Sequence, residues 1–134
     1  MDQPLPTTRD QTLKYTLYAQ FQSWRQLVLS RLAARDVTGQ LAELAWMSAI
    51  TFTAYDSQMA LAGRLLLRDM PVPQVLGALG ARDVPSVLAL WRPWAAHQSE
   101  MFRLGRGVLS PQDADRVTAL LTTKNIRPQS GEIA

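Results

Sequence analysis

The sequence predicts an all-α protein: an elongated antiparallel bundle of about four helices plus a short connecting helix. Three observations carry that prediction. Apolar residues recur at spacings of three and four over long stretches. No strand signal interrupts them, because Val and Ile are few and no Asn-Gly or Asp-Gly hairpin turn occurs. Prolines, glycines and capping side chains divide the chain at four places.

The first helix is expected over residues 9–34. Leu13, Leu17, Phe21, Trp24, Val28 and Leu32 follow one another at spacings of 4, 4, 3, 4 and 4, one face of an amphipathic helix. Gln11, Lys14, Gln22, Arg25 and Gln26 fall mainly on the other face. Residues 1–8, with Pro4 and Pro6, are read as a frayed N-terminus. Asp36 can cap a second helix, since its carboxylate accepts from free backbone N–H groups. That helix meets no breaker until about Arg68, and Gly63 is its one weak point. Between Leu41 and Leu67 the only charges are Glu43, Asp56 and Arg64. Apolar side chains appear nearly all round it, including Leu44, Trp46, Met47, Ile50, Phe52, Tyr55, Met59 and Leu61. A helix of that kind is covered by other helices or by a nonaqueous surface. Asp56 and Gln58 at its centre argue against lipid spanning.

Pro71 and Pro73 stop the second helix. Pro73 can open a short helix from Gln74 to Leu79, ended by Gly80. Asp83 and Pro85 then start a long helix to about Val108. Its inward side is expected to carry Val87, Leu88, Trp91, Trp94, Ala95, Met101, Leu104 and Leu109. Pro93 should kink it or restart it. Ser110-Pro111-Gln112-Asp113 opens the last helix, read to Thr123 with Ala114, Val117, Leu120 and Leu121 on one side. Residues 124–134 are read as a flexible tail, which leaves a single helical domain over 9–123. The second helix, about 45 Å long at 1.5 Å per residue, exceeds a compact sphere of this chain length, whose radius of gyration is about 14 Å. Either the protomer is an elongated bundle or several chains share one core, and a homo-oligomer is expected. Leu32-Ala33-Ala34-Arg35-Asp36-Val37 also echoes Leu79-Gly80-Ala81-Arg82-Asp83-Val84, read as convergent capping chemistry or as a duplicated unit.

Composition excludes whole classes of chemistry. The 134 residues contain no Cys, so disulfides, thiolate metal sites and a cysteine nucleophile are ruled out. One His leaves no HExxH site and one imidazole base at most. Charged residues are 19%, below the usual share of about 25%. The net charge is +3, and the 12 Arg are scattered rather than clustered, so nucleic acid is not expected as a partner. Arg103, Arg106, Arg116, Lys124 and Arg127 form only a mild basic end, without interleaved aromatics. The chain opens without a signal-peptide pattern and has no apolar run of transmembrane length, so the expected location is the cytoplasm.

No catalytic constellation stands out, and no enzyme, cofactor or metal is expected. His97 and Glu100 share a helix face and could form an oriented base, but no nucleophile or oxyanion donor accompanies them. Asp56 reads as a buried acid or, more simply, as a structural partner of an Arg or a hydroxyl. Trp91-Arg92-Pro93-Trp94 matches a corepressor-recruiting tetrapeptide, which acts at a free C-terminus and is internal here. Trp24, Met47, Tyr55, Trp91 and Trp94 are better read as core or oligomer anchors.

Two segments resemble the phasins, helical proteins that coat polyhydroxyalkanoate granules. One runs from Trp46-Met47-Ser48-Ala49 to Gln58-Met59-Ala60-Leu61-Ala62. The other runs from Ala81-Arg82-Asp83-Val84-Pro85-Ser86-Val87-Leu88-Ala89-Leu90-Trp91 to Trp94-Ala95-Ala96-His97-Gln98. The likeness covers about half the chain. The chain departs from the family in its four Trp, in Pro93, and in the pair Pro71 and Pro73. The resemblance implies a noncatalytic protein that adsorbs on a polyester granule through apolar helix faces and self-associates, with Trp46, Ile50, Phe52 and Leu61 in the binding face. The same exposed apolar surface would also suit a protein–protein interaction module: an adaptor, a chaperone, or a phage- or plasmid-encoded inhibitor.

Overall fold

The computed structural model describes residues 5–30 and 36–126. Among them are six helices and no strand: α1 (Arg9–Leu13), α2 (Leu17–Ser30), α3 (Val37–Leu67), α4 (Val72–Leu79), α5 (Val84–Arg103) and α6 (Pro111–Ile126). The chain divides into two compact units, Met1–Asp56 and Ser57–Ala134, and the boundary falls inside α3.

In the first unit, the helix expected over 9–34 is two helices, broken at Lys14–Thr16. Thr8 and Gln11 form a capping box that starts α1. The Thr16 hydroxyl restarts the chain by accepting from Ala19 N at 3.2 Å. The break resets the helical phase. The face that turns inward therefore carries Thr12, Gln20 and Leu27, whereas Leu17, Phe21 and Val28 are exposed. Leu32 and the expected end near Ala34 lie outside the described residues.

Small residues make the inner face of α3. Ala42, Ala45 and Ala49 are buried at spacings of three and four and let the neighbouring segments approach closely. The Thr12 hydroxyl reaches Ala45 O at 3.2 Å, and Gln20 Nε2 donates to Thr53 Oγ1 at 3.2 Å and to Tyr15 O at 2.8 Å. Leu27, Ala42 and Trp46 form the local core, with Leu5 and Trp24 packed against it.

In the second unit, α3, α4 and α5 all terminate in the same way. The residues Asp69, Gly80 and Gly105 adopt the left-handed conformation, with φ of 65°, 70° and 79°. Each termination closes with a six-to-one backbone bond: Met70 N to Leu65 O, Ala81 N to Leu76 O, and Arg106 N to Met101 O. Gly105 thus ends α5 at Arg103, five residues short of the expected Val108. The helix is continuous through Pro93.

The expected start signals do act as caps. Thr38 N donates to Asp36 Oδ1 at 3.0 Å, Ser86 N to Asp83 Oδ1 at 2.9 Å, and Asp113 N to Ser110 Oγ at 3.1 Å. Helix α4 begins at Val72, with Pro73 in its first turn. Helix α6 continues to Ile126, so the first three residues of the expected tail are helical. Residues 127–134 lie outside the described set.

Val87, Trp91, Trp94 and Ala95 of α5 are buried. Trp91 Nε1 donates to Thr118 Oγ1 of α6 at 2.9 Å, and Thr118 in turn donates to Ala114 O at 3.0 Å. Gly63 of α3 lies against the benzo edge of Trp91, where a Cβ would sit 3.0 Å from Cη2 and 3.3 Å from Cζ3. The glycine that looks like a weak point in the sequence is the seat of a tryptophan.

Candidate functional site: exposed apolar helix faces

The residues expected to share one binding face have separate fates. Trp46 is buried, with its ring 5.5 Å from that of Tyr15 and tilted by 50° to it, and packed against Leu27 and Ala42. It is a core residue of the first unit and not part of an exposed face. Ile50 is half-buried. Phe52 is exposed but carries the Arg9 guanidinium over its ring at 4.8 Å, a cation–π contact. Leu61 is exposed in the second unit, where it borders a small apolar groove with Leu65, Val75 and Leu79.

Among the expected anchors, Trp91 and Trp94 are buried, with ring centroids 5.2 Å apart. Trp24 is half-buried beside Phe21, and its Nε1 has no hydrogen-bond partner. Met47, read as a core or oligomer anchor, is exposed and so is not a core residue of its own unit. It follows Trp46 by 100° around the helix, so once Trp46 turns inward Met47 must turn out. Tyr55 is half-buried; burial first, and the adjacent Asp56 carboxylate second, push its phenol above the ordinary value of 10.0. Asp56 itself is exposed and is not a buried acid. On α5, Leu104 of the expected inward set is exposed, because it stands in the terminating turn.

The first unit presents a second apolar surface, opposite the alanine face of α3. Val37, Leu41, Leu44, Met47 and Thr51 are all exposed there. On α2, Tyr18 and Leu29 project with 73% and 66% of their surface in solvent, and Phe21 and Val28 are also exposed. Scattered exposed leucines are ordinary. Here they coincide with a shortage of charge, since Arg25 is the only charged residue of α2 and Glu43 the only one of α3 before Asp56.

His97 is exposed, and the Glu100 carboxylate pairs with Arg103. Among the described residues no group of three or more His, Asp or Glu side chains could hold a metal ion. No described helix is long and apolar enough to cross a membrane. Gln98, visible in the sequence only as part of a resemblance, is buried and braces the turn after α5 by accepting from Val108 N at 2.9 Å. Comparison with family models, with curated proteins and with solved structures finds no match.

Proposed function

We propose that the protein is a noncatalytic helical binding protein that adsorbs on an apolar surface, a polyester granule in the cytoplasm, through the outer faces of α2 and α3. The observation that supports this reading is the first unit's outer surface: large apolar side chains at high exposure with almost no charge between them. Burying such surface is favourable by roughly 25 cal/mol per Å² whatever covers it, because the hydrophobic effect is not directional. The phasin-like segment at Trp46 to Ala62 lies on the same helix.

The test is sedimentation of the purified chain with polyester particles. The unaltered protein is expected to co-sediment. A Leu41→Glu/Leu44→Glu variant should lose at least tenfold in affinity while keeping its stability, since both side chains are exposed. No adsorption of the unaltered chain would sink the proposal.

A second reading, an oligomeric protein–protein interaction module with an antiparallel bundle completed between chains, rests on a different observation. Val37, Leu41 and Leu44 are exposed at spacings of 4 and 3 on α3, continued at 4, 3 and 4 by Ser48, Thr51 and Tyr55, the spacing along which a helix can take a partner helix. Light scattering together with the particle assay decides it. A dimer or tetramer of the 14.9 kDa chain that does not adsorb on particles favours the module; adsorption favours the coat, whether the chain is self-associated or not.

A further inference from the structure

The turn that ends α5 displays a second apolar surface, in the second unit and of different character. Within residues 102–108, Phe102, Leu104 and Val108 keep 48%, 65% and 55% of their surface in solvent. Arg103 and Arg106 are interleaved with them and are exposed. The turn is not loose. Gly105 N bonds to Phe102 O at 3.0 Å, and Arg106 N to Met101 O at 2.8 Å. Val108 N is held by the buried Gln98 side chain. Gly107, at φ 89°, lies so close to Gln98 that a Cβ there would meet Oε1 at 3.1 Å and the carbonyl oxygen at 3.2 Å. A braced turn therefore keeps three large apolar side chains and two arginines in water.

The size of the patch selects its occupant. With full areas on the order of 200 Å² per side chain, these fractions leave about 300 Å² of apolar surface. A stable protein interface needs about 800 Å² per partner. A bilayer interface makes no such demand, because a few apolar side chains can enter the headgroup region while neighbouring cations meet phosphate. Glu100 pairs with Arg103, so Arg106 is the cation of this segment without a carboxylate two or three residues away.

We propose that the turn at residues 102–108 is a peripheral docking site for an anionic phospholipid surface, with Phe102, Leu104 and Val108 entering the interface and Arg106 meeting lipid phosphate. The site is separate from the outer face of the first unit and does not depend on it.

Co-sedimentation of the full chain with vesicles tests this. Binding is expected to vesicles of phosphatidylcholine mixed with phosphatidylglycerol, more weakly to phosphatidylcholine alone, and less at high salt. Arg106→Gln should weaken binding to the anionic vesicles about fivefold, the effect of one cation near such a surface. Leu104→Ser should weaken binding to both kinds about tenfold. Both side chains are exposed, and an unchanged circular dichroism spectrum would show that the fold is kept. Arg92→Gln, an exposed cation of α5 outside the turn, should bind vesicles as the unaltered chain does. Failure to sediment with anionic vesicles overturns the proposal. So does unchanged binding by Leu104→Ser, or a loss in Arg92→Gln equal to that in Arg106→Gln, which would show a diffuse charge effect in place of a site.

Discussion

Replacing Gly63 with alanine sets two known effects against each other. In an exposed helix interior the change would stabilise by about 1 kcal/mol, because alanine restricts the unfolded chain and favours helix. At Gly63 the new methyl would stand 3.0 Å from Trp91 Cη2, 3.3 Å from Cζ3 and 3.6 Å from Leu109 Cδ2. The indole has little room to move: it is 1% exposed, tied to Thr118 through Nε1 and packed on Trp94. Overpacking of this kind costs about 1–3 kcal/mol, so Gly63→Ala should be net destabilising by about 1 kcal/mol. The two atoms in the closest contacts belong to the benzo ring, which phenylalanine lacks. In a Trp91→Phe background, itself less stable, Gly63→Ala should therefore change sign and stabilise by up to about 1 kcal/mol. Urea unfolding followed by circular dichroism, on the four members of the cycle, measures both values. A stabilising Gly63→Ala in the unaltered background, or additivity across the cycle, would refute the close seating of Trp91.

Asp69→Gly should stabilise by about 0.5–1 kcal/mol, since Asp69 holds φ 65° at the end of α3 where Gly80 and Gly105 hold the equivalent positions; the midpoint of urea unfolding reads this, and a loss would contradict the left-handed assignment. Asp83, held below its ordinary 3.8 by the Ser86 hydroxyl first and the Ser86 backbone N–H second, stabilises the fold in its ionised form. Its contribution is complete above the unfolded value and is lost as pH falls through the depressed folded one, so Asp83→Ala should flatten the acid limb of the unfolding midpoint against pH; an unchanged limb would count against the cap.

Much of the fold was legible because its punctuation is chemical. Asp36, Asp83 and Ser110 are short acceptors ahead of helix-forming runs, and each caps a helix as such residues do. Pro71 and Pro73 remove donors, which ended α3 where expected. The break at Lys14–Thr16 was not legible in the same way: no Gly or Pro marks it, and the side-chain bonds of Thr12 and Thr16 compete with the helix there. Both threonines were visible, but nothing local distinguishes a capping Thr from one inside a helix. The exposed face was harder still. When apolar residues surround a helix, as on α3, their pattern has no preferred direction. Neighbours such as Trp46 and Met47 can then be assigned inward or outward only by what packs on them. The three alanines at 42, 45 and 49 were the available signal for the inner face.

The four tryptophans are shared equally between the two units, Trp24 and Trp46 in one, Trp91 and Trp94 in the other. The molecule thereby carries its own optical labels for the separate fates of its halves. Phenylalanine at positions 24 and 46 would leave an emission that reports the second unit alone; the converse pair would report the first. Coincident melting of the two signals would mean that a chain divided within one helix still opens as a single cooperative body. Staggered melting would mean that one end of α3 can lose its packing while the other keeps it, so that local opening becomes a property of half a helix.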